Sequence, residues 1–151
     1  MSDATDIGEL YQRLIMERAR APLHSGRPER FDAEAEGDNP MCGDRVQLRL
    51  SCAGGVIGEV WHETRGCAIC IASADLMADA VAGRSRAAAE ALAGAFEAMV
   101  ASGAAPDRED FQELRALSGV HEYRSRHRCA TLPWQALRAA LTKTMETGHG
   151  G

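Results

Sequence analysis

Aromatic residues are scarce, 5% of the 151 residues, which excludes a core built on stacked rings. Alanine dominates the second half and points instead to small-residue helix packing. No apolar run approaches the ~20 residues needed to cross a bilayer, so no membrane partner is expected. The opening MSDATDIGEL is acidic and lacks the basic-then-apolar shape of a secretory signal, and a cytoplasmic protein is expected. Positive charge is also short. The formal net charge is −5, and no basic-plus-aromatic stripe offsets it, which argues against nucleic acid as a partner. No internal repeat is visible.

What remains is a chain with 45% hydrophobic and 26% charged residues, ordinary for a globular protein. Its length suits a single domain, 1–151, able to bury a core without disulfide staples. Disordered ends are expected at 1–5 and 146–151, the latter including the glycine-rich GHGG tail. Five cysteines (Cys42, Cys52, Cys67, Cys70, Cys129) in a reducing compartment point to metal or sulfur chemistry rather than to a disulfide framework.

The patterning predicts an α+β fold. Ile7, Leu10, Tyr11 and Leu14 share one face of an amphipathic helix that ends before Pro22. Residues 22–30 read as an exposed loop, and RFDAEAEG as an edge strand. RVQLRL places Val46, Leu48 and Leu50 on one face, and VIGEVWHET returns after a Gly54–Gly55 turn as the second arm of a hairpin. Helices follow: 68–81 closed by Gly83, one capped by Ser85 and running to about 101, a shorter one over 107–117, and a last one over 129–145 with Pro133 in its first turn. The expectation is a three-stranded antiparallel sheet with a helical layer packed on one face.

Three cysteines have interpretable surroundings. Cys42 lies in NPMCGD with Asp44 two residues on, and Gly43 lets the backbone bend so that both side chains reach one ion. Cys67 follows Gly66 at a strand-to-helix junction, and Cys129 opens the last helix after Arg126 and Arg128. A helix N-terminus favours thiolate over thiol. Three thiols and one carboxylate make a four-ligand set suited to zinc. The plainer alternatives are three buried, inert thiols, with Asp44 capping a turn. Cys52 reads as a packing or surface residue and His62 as an exposed strand residue. His127 belongs to a solvated basic connector. Cys70, one helical turn after Cys67, is assigned to packing, although it completes a CAIC pair that resembles a redox dithiol.

Taken together and in order, NPMCGD, GCAICIASADLM and RCATLPW resemble the three signature segments of the SufU/IscU (NifU N-terminal-like) iron–sulfur assembly family, and residues 7–145 can be laid along it. The resemblance is to the SufU branch. The interval from Cys67 to Cys129 holds an extra segment around 106–117, Arg128 stands where IscU scaffolds carry histidine, and Arg126 matches an arginine of SufU-like proteins. Two departures are the loop ARAPLHSG, where an HPRN-like sequence is usual, and Cys70, where serine is usual.

The resemblance implies that Cys42, Asp44, Cys67 and Cys129 bind Zn2+. It implies a sulfurtransferase-like sulfur carrier rather than a metabolic enzyme. Cys129 would accept persulfide sulfur from a SufS-type cysteine desulfurase, leaving the metal as a partner histidine replaces it, and pass the sulfur to the downstream cluster-assembly machinery. The alternative is an IscU-like scaffold that assembles a 2Fe–2S cluster on the same three cysteines. A dithiol redox protein using Cys67 and Cys70 is more distant, because the hairpin-then-helices order lacks an alternating βαβ pattern.

Overall fold

The computed structural model describes residues 3–147, with side chains from 8 to 144. The elements run α1 (Asp3–Arg20), β1 (Ala33–Asn39), β2 (Asp44–Ala53), β3 (Val56–Arg65), α2 (Ala68–Val81), α3 (Arg86–Ser102), three 3-10 helices (Glu109–Phe111, Leu114–Glu122, Arg124–Arg126) and α4 (His127–Thr147). The expected three-stranded antiparallel sheet is present in the order β1-β2-β3, with its helical layer on one face. Helices thus occupy residues 3–5 and 146–147, within the ends expected to be disordered. The remainder of those ends, including the GHGG tail, lies outside the described residues.

Alternation decides which face of the sheet is covered. Ala33, Ala35, Val46, Leu48, Leu50, Ile57 and Val60 are all buried, while Glu34, Glu36, Asp38 and Arg45 between them are exposed. Against this face lie α2 and α4, which contribute Leu76, Met77, Trp134, Leu137 and Leu141. Each fully buried large apolar side chain contributes roughly 1.5–3 kcal/mol, so the two helices and the sheet hold each other in place. Trp134 stacks on Phe96 of α3 with ring centroids 4.6 Å apart. Ser85 caps α3 as expected, its hydroxyl accepting from the Ala88 N–H at 3.1 Å.

Several expectations are corrected. The segment 107–117 is not an α-helix but two 3-10 helices. Its buried residues Phe111, Leu114, Leu117 and Val120 recur every third position, which suits three residues per turn rather than 3.6. The basic connector is likewise structured, as the end of the second 3-10 helix and the whole of the third. Helix α4 begins at His127, so Pro133 lies beyond its first turn. There it has no N–H to give to the Cys129 carbonyl, whose usual helical donor is thereby missing.

Helix α1 is peripheral. Among its described side chains Leu10 is exposed, Tyr11 and Leu14 are half-buried and Arg18 is the buried one, while the side chain of Ile7 lies outside the described residues. The loop after it is tied down more firmly than its composition suggests. The His62 N–H donates to the His24 carbonyl and the Gly26 N–H to the His62 carbonyl, each at 3.0 Å, covering part of the free edge of β3.

Candidate metal and thiol site

Strand β2 begins at Asp44, helix α2 at Ala68 and helix α4 at His127, and these three starts meet at one end of the sheet. The Cys42 and Cys129 sulfurs and an Asp44 carboxylate oxygen all lie within 4.8 Å of one another. Cys67 is the N-cap of α2. Its backbone N–H donates to Asp44 Oδ1 at 3.2 Å, and the Arg126 guanidinium lies beside both its sulfur and that of Cys129. Of the four expected residues, Cys42, Asp44 and Cys129 form the tight cluster and Cys67 borders it.

The four groups differ in access. Cys42 is exposed and Cys67 half-buried, whereas Asp44 and Cys129 are fully buried. Asp44 Oδ2 is buried without a hydrogen-bond partner. An unpaired buried carboxylate oxygen is costly unless a cation or a donor meets it. Burial, then the hydrogen bonds with Asp44 and Cys67, push the Cys129 thiol well above its ordinary range. A buried carboxylate with an open oxygen, beside a buried thiol that resists ionisation and two further sulfurs, is a donor set that a soft-to-borderline divalent cation satisfies. Three sulfurs and one oxygen match zinc's preference for thiolate and carboxylate ligands, so the residues fit the metal.

Two further features hold the donors in register. Gly66, with φ +148°, lies against Asp44, and a Cβ built there would stand 2.9 Å from its Cγ. Ser73 of α2 donates its hydroxyl to the Ala130 carbonyl at 2.5 Å and accepts from Trp134 Nε1 at 3.2 Å. That bridge fixes the start of α4, and with it Cys129, against the helix that Cys67 opens.

The remaining expectations sort as follows. Cys70 is fully buried in the core, in agreement with packing, and burial, followed by the charges of Asp44, Cys67 and Cys42, pushes its thiol up. Cys52 is half-buried beside a register shift in β2, its N–H donating to Asp32 Oδ2 at 2.7 Å. His127 is half-buried rather than solvated, and its Nε2 donates to the His121 carbonyl at 2.8 Å.

His62 is not an exposed strand residue. It is 1% exposed, with Nε2 at 3.0 Å from Asp75 Oδ1 and Nδ1 at 2.7 Å from Thr64 Oγ1. Asp75 also accepts from Arg18 at 2.5 Å and from the Leu23 and His24 N–H groups at 2.9 and 2.8 Å. Arg18 and His24 bond Asp79 as well. This buried polar cluster, unforeseen in the sequence, joins α1, the following loop, β3 and α2. The one signal for it is that His62 continues the inward register of Val60.

The NifU-like N terminal domain family matches residues 10–144. An iron–sulfur cluster assembly scaffold protein IscU from Streptococcus pyogenes is 32% identical over 95% of this chain and 89% of its own length. A zinc-dependent sulfurtransferase SufU from Bacillus subtilis is 31% identical over 95% of this chain and 97% of its own length. Among solved structures, a putative SUF-system scaffold protein from Fervidobacterium islandicum superposes with a TM-score of 0.80 at 30% identity, covering 88% of this chain and 97% of that one. The N-terminal part of a NifU-like protein from Brucella abortus gives 0.83 at 27% identity, covering 93% and 97%. The motifs, the fold and these likenesses agree: the chain belongs to the NifU-like N-terminal domain family, the SufU/IscU family of iron–sulfur cluster assembly proteins.

Proposed function

We propose that this protein is a zinc-dependent sulfur carrier. Cys42, Asp44, Cys67 and Cys129 would hold the ion, and Cys129 would take sulfur from a cysteine desulfurase of the SufS type. The observation that carries this reading is the Cys42–Asp44–Cys129 cluster, with Asp44 and Cys129 buried and one carboxylate oxygen open, bordered by Cys67 and Arg126. Support comes from the Bacillus subtilis relative, named a zinc-dependent sulfurtransferase, and from Arg128 standing before Cys129, where a scaffold of the IscU type carries histidine. A bound zinc ion would supply a Lewis acid that keeps the neighbouring thiols ionised.

The transfer itself belongs to the side chains. Cys129 gives up its thiol proton to solvent, its sulfur attacks the outer sulfur of the donor's persulfide, and a new S–S bond forms as the old one breaks. The donor cysteine leaves as thiolate, and Cys129 retains the transferred sulfur as its own persulfide. Cys129 is fully buried, so a donor reaches it only if neighbouring segments move, and the meeting of Cys42 Sγ with the Ser125 carbonyl at 4.0 Å is the contact to open. The exposed Cys42 and Arg126 make that rim the docking side. The sulfur then passes to the downstream assembly machinery, in the cytoplasm.

A second reading is a scaffold that builds a 2Fe–2S cluster on Cys42, Cys67 and Cys129, favoured by the relative named as an IscU scaffold. Metal analysis and the visible spectrum of freshly purified protein separate the two. One equivalent of zinc in a colourless protein supports the carrier. A brown protein containing iron and acid-labile sulfide overturns it.

A further inference from the structure

We propose that Cys67 and Cys70 form a peroxide-reactive site that closes to a disulfide. The disulfide stands on the geometry of helix α2; its effect on a bound metal rests on the reading of Cys67 as a ligand given above.

Cys70 is the one thiol near the site that the proposed donor set does not use. It lies in the first turn of α2, three residues after the N-cap Cys67, and both belong to the same packed cluster, Cys70 within it and Cys67 against it. Residues three apart on a helix bring their Cβ atoms to about 5–6 Å, and a disulfide needs about 3.5–4.5 Å. Closure therefore asks for a shift of roughly 1–2 Å at the helix start. Cys67 can supply it: as N-cap it has extended backbone and makes no side-chain cap hydrogen bond.

Access fixes the order of events. Cys67 is half-buried and open to a small oxidant, whereas Cys70 is fully buried. The Cys129 sulfur also meets Cys67, but it is held in the tight cluster with Cys42 and Asp44, whereas Cys70 lies outside that cluster as a second thiol with no donor role. The Cys67 sulfur attacks one oxygen of a hydroperoxide. The O–O bond breaks, the other oxygen leaves as alcohol or water with the thiol proton, and Cys67 becomes a sulfenic acid. The Cys70 sulfur then attacks Cys67, an S–S bond forms, and the hydroxyl departs as water with the Cys70 proton. Two thiols are oxidised and one peroxide is reduced. A disulfide at Cys67 withdraws one of the four proposed donors, and a dithiol reductant restores it.

The test treats the zinc-loaded full-length protein with hydrogen peroxide, alkylates the remaining thiols, and maps the fragments released by cleavage after arginine. Residues 66–84 hold both Cys67 and Cys70, whereas Cys129 falls in a separate fragment, 129–138. The expected product is the 66–84 fragment lighter by two hydrogen atoms, unalkylated, and restored by dithiothreitol. A fragment 66–84 cross-linked to 129–138, or Cys67 carried directly to sulfinic or sulfonic acid, overturns the proposal. In Cys70→Ala, whose folding circular dichroism checks, peroxide should drive Cys67 to those irreversible acids. Protection of Cys67 equal to that of the wild type would equally overturn it. If the disulfide forms and zinc stays bound, the disulfide site stands and the assignment of Cys67 as a ligand falls.

Discussion

The backbone N–H of Cys67 donates to Asp44 Oδ1 at 3.2 Å, so the start of helix α2 is fastened to the first residue of β2 through a buried carboxylate. Gly66 makes this approach possible. Gly66→Ala would place a methyl group 2.9 Å from the Asp44 Cγ and 3.1 Å from its Cα, at a φ that L-residues rarely adopt. The expected result is a loss of about 1–3 kcal/mol in stability and, if the site holds zinc as proposed, weaker zinc binding. Thermal melts and competition with a chromogenic chelator read the two effects separately.

If Cys129 is the sulfur acceptor, Cys129→Ala abolishes persulfide uptake from the desulfurase, whereas Cys52→Ala, away from the cluster, leaves it intact. Sulfur-35 labelling from cysteine, followed by non-reducing electrophoresis, provides the readout. Full labelling of Cys129→Ala would refute the assignment.

Arg126 is exposed yet bonds both Cys67 and Cys129. It places positive charge beside the two sulfurs without adding to the core. If the protein serves a desulfurase as proposed, Arg126→Ala is expected to fold normally and to slow desulfurase turnover severalfold, with Arg126→Lys recovering only part of the rate. A change confined to KM would show that it serves docking alone.

Asp75 supplies a pH dependence of stability. Burial raises its pKa, but the hydrogen bonds from His62, the Leu23 and His24 N–H groups and Arg18 outweigh burial and hold it well below the usual carboxylate range. Its folded-state pKa is thus depressed relative to the unfolded value of about 3.9. The stabilisation is fully present above that pH and is lost as pH falls toward the folded-state value. Urea midpoints measured from pH 7 downward should fall below about pH 4. Asp75→Asn should flatten that part of the profile and, by breaking a buried charge cluster, cost about 3–5 kcal/mol at neutral pH.

Much of this architecture was legible because the burial is one-sided. Strict alternation at Val46, Leu48 and Leu50 gave the sheet face. The bounds 68–81 followed from Gly66 and Gly83 enclosing an apolar helical run, and Ser85 announced the next helix by its capping chemistry. Three thiols and an acid in distinctive local sequences were enough to expect them to meet. The 3-10 stretch escaped because its three-residue spacing at Phe111, Leu114, Leu117 and Val120 is easily taken for a poor α-helical stripe. His62 escaped because a polar side chain in a strand reads as outward-facing until its partner is known, and Asp75 sits on a different element. Arg18 was hidden among solvent-facing neighbours for the same reason: pairing across distant segments leaves no periodic mark.

The Lys143 ammonium of α4 donates to the Glu34 carbonyl of β1 at 2.8 Å, across 109 positions of sequence, and the Leu132 side chain packs over Gly37. Helix α4, the most C-terminal of the described elements, is therefore the one that closes over β1, and it brings Cys129 with it. A nascent chain that has produced only Cys42, Asp44 and Cys67 lacks the third member of the tight cluster. The tight cluster thus assembles only when α4 docks on the sheet, and a chain stalled before Cys129 does not form it.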